Sequence, residues 1–188
     1  MTVALERRRF TVEEYHRMAA AGILGEDDRV ELLEGEIVRM SPIGKAHAAC
    51  VKRLNLWFGQ RLAGRVLVSI QDPIRLGDRS EPQPDVALLK PRDDQYAKSL
   101  PTVKDVLLVI EVADTTAESD RDVKLPLYAR AGIPETWLVI IPRRIVEVHR
   151  NPGPDGYATV TTHPAGDTIA PVAFPGEGLG VAELVRDL

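Results

Sequence analysis

Val106-Leu-Leu-Val-Ile-Glu-Val-Ala113 constrains this chain more than any other stretch. All but one of its residues are apolar, so neither face of a strand built from it can be left to water. Such a run is expected of a central strand covered on both sides. Strand alternation places Leu107, Val109, Glu111 and Ala113 on one face. Glu111 therefore stands where a Leu is expected. A buried, unpaired carboxylate costs several kcal/mol of effective desolvation, so the fold has to supply something that compensates it.

Two other residues bear on that compensation. Pro84-Asp-Val-Ala-Leu-Leu89 reads as a short neighbouring strand, and Asp85 on it adds a like charge. A divalent cation resolves both problems. Mg²⁺ (or Mn²⁺) takes carboxylate oxygens and keeps several waters, one of which can become a nucleophile. Lys124 falls on the inward side of the following helix, beside Val123 and Leu127. An ammonium there can hold an attacking water or stabilise charge growing on a phosphate oxygen. The plainer alternative is a buried Glu111–Lys124 ion pair, with Asp85 capping a turn after Pro84, since structural ion pairs perturb ionisation too.

The rest of the chain reads as scaffold. Thr11-Val-Glu-Glu14 is a capping box opening a helix that runs to Ala20 and stops near Gly22. Residues 29–40 form two extended halves around Glu34-Gly35, a hairpin. Of its Glu31, Glu34 and Glu36, at least two are expected at a solvated edge, with one left to face the site. A helix over residues 46–62 buries Val51, Leu54, Phe58 and Leu62. His47 lies one turn earlier on that face, placed for packing, capping or service to a site at the helix start. A strand follows over 66–70, Pro73 marks a bend or edge, and the polar residues 90–101 are expected to be the most mobile loop. A Thr-, Ser- and Asp-rich turn spans 114–120. The helix over 120–131 turns Asp120, Val123, Lys124, Leu127, Tyr128 and Ala131 to one side, and Pro126 is expected to kink it. A strand over 136–141, a hairpin with arms 144–150 and 157–163, and a short helix over 181–185 complete the chain. The strand–helix–strand order from Glu111 to Ile141 requires a crossover.

Composition bounds the function. A chain of 188 residues with 44% hydrophobic and 28% charged residues fits one soluble domain, 1–188. The net charge of -4 counts against strong non-specific DNA binding, yet a nuclease's own carboxylates lower its net charge. With Cys50 the only cysteine, no intramolecular disulfide forms, and its helical position points to packing. Arg7, Arg8 and Arg9 are not followed by an apolar stretch, so no signal peptide is expected. The apolar runs 106–110 and 137–141 are too short for a bilayer. The expectation is a cytoplasmic protein with no membrane contact. The four histidines lack zinc spacing, and Trp57 and Trp137 sit in periodic apolar segments that suggest core.

Several segments carry a resemblance. Pro84-Asp85, Glu111-Val112 and the element order resemble the restriction-endonuclease-like superfamily, named for its Pro-Asp…Asp/Glu-X-Lys motif. More narrowly, Glu31-Leu-Leu-Glu-Gly-Glu-Ile, Ser41-Pro-Ile-Gly with His47, Pro84-Asp-Val, Val109-Ile-Glu-Val, Lys124-Leu-Pro-Leu-Tyr-Ala-Arg-Ala-Gly-Ile-Pro-Glu and Phe174-Pro-Gly are similar to the Uma family of that superfamily. The resemblance covers nearly the whole chain, and the run from Lys124 is its most specific part. It implies that Asp85, Glu111 and the carbonyl of Val112 bind metal, with Asp85, Glu111 and Lys124 catalytic. Glu31, His47 and Tyr128 are the supporting candidates. The chain departs from the motif at Ala113, where a Lys is usual, and Lys124 on the next helix is the matching replacement.

The resemblance thus implies an α/β (α+β) restriction-endonuclease-like core: a mixed sheet flanked by helices, with N-terminal and C-terminal hairpins. It implies an endonuclease hydrolysing phosphodiester bonds, in DNA, through a Mg²⁺-bound water. The alternative is an inactive module of the same fold that binds nucleic acid or protein. The residues leave the assembly open, a homodimer included.

Overall fold

In the computed structural model, which describes residues 7–25, 27–114 and 120–188, the two-sided apolar run becomes an inner strand of a six-stranded sheet. The strands β3 (Leu67–Ile70), β4 (Val86–Leu89), β5 (Val106–Ala113), β6 (Glu135–Ile140), β7 (Ile145–Gly153) and β8 (Gly156–Pro164) lie side by side in that order. Every pairing is antiparallel except β5–β6. That parallel pair is the expected crossover: the chain leaves β5, passes over one face, and re-enters in the same direction.

Both faces of β5 are covered. On one, Leu108, Ile110 and Val112 join Val51, Leu54 and Phe58 of α2 (Lys45–Arg61) and Leu184 and Val185 of α4 (Val181–Val185). On the other, Val109 clusters with Tyr128 and Ile133, and Ala113 with Leu125, Leu138 and Ile140, under α3 (Leu125–Ala131). Fully burying one such aliphatic side chain contributes about 1.5–3 kcal/mol. That is the margin against which one carboxylate in the middle of β5 is tolerated.

The expected cap of α1 (Val12–Ala20) is present: Glu14 N–H donates to Thr11 Oγ1 at 3.2 Å and Thr11 N–H to Glu14 Oε2 at 3.1 Å. The N-terminal hairpin, β1 (Val30–Leu33) and β2 (Glu36–Arg39), is a sheet of its own. The C-terminal hairpin instead extends the main sheet, its arms reaching Gly153 and Gly156. Gly35 has a φ of +81°, and a Cβ there meets Arg9 Cβ at 2.7 Å, so only glycine fits this close approach. Leu32 O accepts from Glu81 N–H at 2.8 Å. These ties seat the hairpin beside the sheet and decide which of its glutamates turns inward.

Two expectations need correction. Pro126 does not kink a helix, because residues Asp120–Lys124 form a π-helical turn and Pro126 falls in the first turn of α3, where a missing N–H costs least. The wider turn also shifts the phase, so Val123, expected inward, is 48% exposed. Residues 90–101 carry their own ties: Tyr96 OH donates to Lys90 O at 2.8 Å, and the Arg92 guanidinium lies 3.9 Å from the Tyr96 ring centre. Of the turn at 114–120, residues 115–119 lie outside the described residues, as do residues 1–6 of the segment searched for a signal peptide. Among the described residues no helix is long and apolar enough to cross a membrane.

Candidate active site

The β4–β5 ladder pairs Val86 with Ile110, so one step outward sets Asp85 opposite Glu111. Residues opposite one another in an antiparallel pair have Cβ atoms about 4.5–5.5 Å apart. Asp85 is held from three sides. Val112 N–H donates to Oδ2 at 2.9 Å, His47 Nε2 lies 2.9 Å from that oxygen, and Gln71 Nε2 donates to Oδ1 at 3.1 Å. Burial pushes the Asp85 carboxyl up, but His47 and then the Val112 amide and Gln71 outweigh it and hold it below the usual range.

Glu111 meets a different environment. Tyr128 OH donates to its Oε1 at 2.6 Å, and Lys124 Nζ lies 3.4 Å from the same oxygen. Lys124 Nζ also lies 3.1 Å from Glu31 Oε1, while Glu31 Oε2 accepts from Gln83 N–H at 3.0 Å. Burial pushes Glu111 up to about 8, against the pull of Lys124 and with the added push of Asp85 and Asp120. Burial also works against the Lys124 charge, but Glu111, Glu31 and Asp120 outweigh it and hold the ammonium above its ordinary range. Burial and Glu111 push the Tyr128 phenol well up, so it remains a donor.

These groups open on a cavity of about 450 Å³ lined by Glu31, His47, Asp85, Glu111, Asp120 and Lys124, among others. All the site residues expected from the sequence line it except Tyr128, which reaches Glu111 from within the core. Glu31 is the inward member of the hairpin trio. Glu34 pairs with Arg130 at 2.7 Å and does not line the cavity, while Glu36 pairs with Arg9 at 3.0 Å and lines the cavity as a half-exposed residue. Sequence reasoning missed Gln71, Asp114 and Asp120 as cavity residues. Asp120 had a signal, since it shares a helical side with Lys124. Gln71 had none, because its φ of +55° and its reach to Asp85 arise from the turn after β3.

The donor set fits a hard divalent cation. Glu31, Asp85, Glu111 and Asp120 crowd one cavity with Lys124 and His47, an excess of negative charge that such a cation offsets. Glu111 Oε2 takes no hydrogen bond among the described residues and Asp85 Oδ1 takes one, so each retains lone pairs. Among the described residues, no group of three or more His, Cys, Asp or Glu is set to hold a metal. Mg²⁺ is commonly bound through one or two carboxylates with several waters kept, and Asp85 and Glu111 are two carboxylates of this cavity.

A family model described as "Putative restriction endonuclease", Uma2, matches residues 12–182. The chain belongs to the Uma2 family. Among solved structures, this Uma2 member is similar to the crystal structure of a "putative nuclease belonging to DUF820" from Anabaena variabilis ATCC 29413. The two share 15% identity over 94% of this chain and 97% of that one, with a TM-score of 0.76. At that identity the likeness speaks for the fold, a mixed sheet flanked by helices. No curated protein matches the chain.

Proposed function

We propose that this Uma2 member is a divalent-metal-dependent endonuclease that hydrolyses phosphodiester bonds in DNA. The observation that carries the reading is the position of Lys124. Its Nζ lies 3.4 Å from Glu111 and 3.1 Å from Glu31, in the cavity that Asp85 also lines. That arrangement supports reading Lys124 as the third member of the motif, supplied from a different element. A bound Mg²⁺ or Mn²⁺ supplies Lewis-acid polarisation of a phosphoryl oxygen and lowers the pKa of a bound water. Asp85, Glu111 and the Val112 carbonyl are the holders. His47 and Gln71 fix the Asp85 carboxylate, and Tyr128 fixes that of Glu111. Lys124 keeps a charged amine where negative charge grows on the phosphate, the kind of preorganised donor that most lowers a barrier.

A second reading rests on the same contacts. Lys124 is satisfied by Glu31 and Glu111 without any ligand, as in a structural pair within a binding module. Cleavage of circular and linear DNA with Mg²⁺ or Mn²⁺, by wild type and Asp85→Asn, separates the two. Metal-dependent cleavage lost in Asp85→Asn is expected. Absence of cleavage in the wild type, with the cation bound, would leave the binding module standing.

A further inference from the structure

Glu111 pairs with Leu138 across β5–β6, and Leu138 pairs with Glu147 across β6–β7. Paired residues in a sheet point to the same face, so Glu111, Leu138 and Glu147 form one row under the helical layer. Strands lie about 4.7–4.9 Å apart, so the two carboxylates stand roughly 10 Å apart along that row. The π-helical turn Asp120–Lys124 bridges them. Lys124 reaches Glu111, three residues earlier Arg121 reaches Glu147, and Leu125 packs on Leu138 between them. Arg121 meets Glu147 as a fork: Nε donates to Oε2 at 3.2 Å and Nη2 to Oε1 at 2.7 Å. Glu147 is 8% exposed, and His149 Nε2 lies 3.4 Å from its Oε2.

The two grips differ in kind. The Arg–carboxylate fork fixes orientation as well as distance, whereas the Lys ammonium is a point charge on a flexible stem. π-Helical turns are rare and cluster at functional sites. We infer that Glu147 is a positioning residue for this site: through Arg121 it sets the rotation of the π turn and thereby holds the Lys124 amine at Glu111. Glu147 does not line the cavity. The role in catalysis rests on the nuclease reading, while the positioning of Lys124 does not.

Two variants test it: Glu147→Gln, and the double replacement Arg121→Met with Glu147→Met. The double replacement removes the grip while keeping apolar cover, which buried ion pairs often tolerate. Reductive methylation of each folded protein, read lysine by lysine by mass spectrometry, reports whether Lys124 has left its pocket. Its side chain is 12% exposed in the wild type, so it should react far more slowly than exposed Lys45 and Lys98. In the variants its rate should rise at least fivefold relative to those two. The destabilising core change Val148→Ala should lower the melting temperature without that rise. DNA cleavage should lose at least tenfold in kcat with KM unchanged. Wild-type protection of Lys124 in both variants would overturn the inference. Absence of cleavage by the wild type would sink the nuclease reading alone, because the labelling result stands without it.

Discussion

Glu111 and Glu135 are both glutamates on inner strands, 2% and 0% exposed, and the molecule treats them in opposite ways. Glu135 is saturated by donors. Its Oε1 accepts from Trp137 Nε1 and Arg150 Nε, each at 2.9 Å, and its Oε2 from Val172 N–H at 2.7 Å. Those partners tie β6 to β7 and to the segment after β9 (Thr168–Ile169). Among the described residues Glu111 has one oxygen engaged and shares a cavity with five other carboxylates, and it is pushed up to about 8 by burial first. Burial alone therefore does not mark a working carboxylate. What separates the two is convergence: donors close on Glu135, while like charges and open space meet at Glu111.

The largest expected effect tests the structural member of that pair. Glu135→Ala leaves Arg150, itself 36% exposed, without its partner and strips the acceptor from Trp137 Nε1 and Val172 N–H, at about 1–3 kcal/mol for each donor left unsatisfied in the interior. Urea denaturation reads it, and a loss below about 1 kcal/mol, within the usual worth of a surface pair, would erase the distinction. Next comes Glu111, the member proposed to work in catalysis, tested through its partner Lys124. Lys124→Met should lower cleavage about 10²–10³-fold, as removal of a preorganised charge-stabilising donor does, with the fold retained. A folded Glu135→Gln protein should keep its cleavage rate, and equal losses in both would show that the cavity is not the site.

A smaller effect sharpens what holds Asp85. His47 contacts Asp85 at 2.9 Å without standing among the proposed metal holders. His47→Ala should weaken Mn²⁺ binding about 10–100-fold, the usual cost of losing a group that orients a ligand, as read by calorimetry. Unchanged affinity would put the cation elsewhere.

The smallest effect is a slope with pH. Glu111 binds its proton more tightly folded than unfolded, so in chelator-treated protein its contribution is complete below its ordinary pKa, near 4.5. That contribution is lost as pH rises toward about 8. The loss is at most about 1.4 kcal/mol per pH unit. Asp85, held below its ordinary range, acts in the opposite sense: its contribution disappears only as pH falls through the acid range below 3.8. Melting curves from pH 5 to 8 should therefore decline, and Glu111→Gln or added Mn²⁺ should flatten them. A wild-type curve that stays level or rises over that span would contradict the buried, charge-crowded state of Glu111.

Local patterning determined much of this protein. The double-sided apolar run of Val106–Ala113 demanded two covering layers, and α2 and α3 supply them. The capping box at Thr11, the hairpin turns and the strand–helix–strand crossover are likewise local, because periodicity, caps and turns are written within a few residues of where they act. Asp85 and Glu111 were legible for a related reason: a carboxylate inside an apolar strand is anomalous wherever the chain goes. Glu135 escaped notice because it stands at the edge of its run, and its saturation by Arg150 and Val172 depends on distant segments. Only the tertiary structure brought Glu31, of three hairpin glutamates, to Lys124, with the hairpin held by the seat of Gly35 and the bond between Leu32 and Glu81. Only it brought Gln71 to Asp85, turned Val123 outward through the π turn, and aligned Glu147 with Glu111 across β6. Those placements follow from register between strands and from the path of loops. Both are settled by the packing of the whole chain, because a single-residue slip in register reverses every side chain that follows.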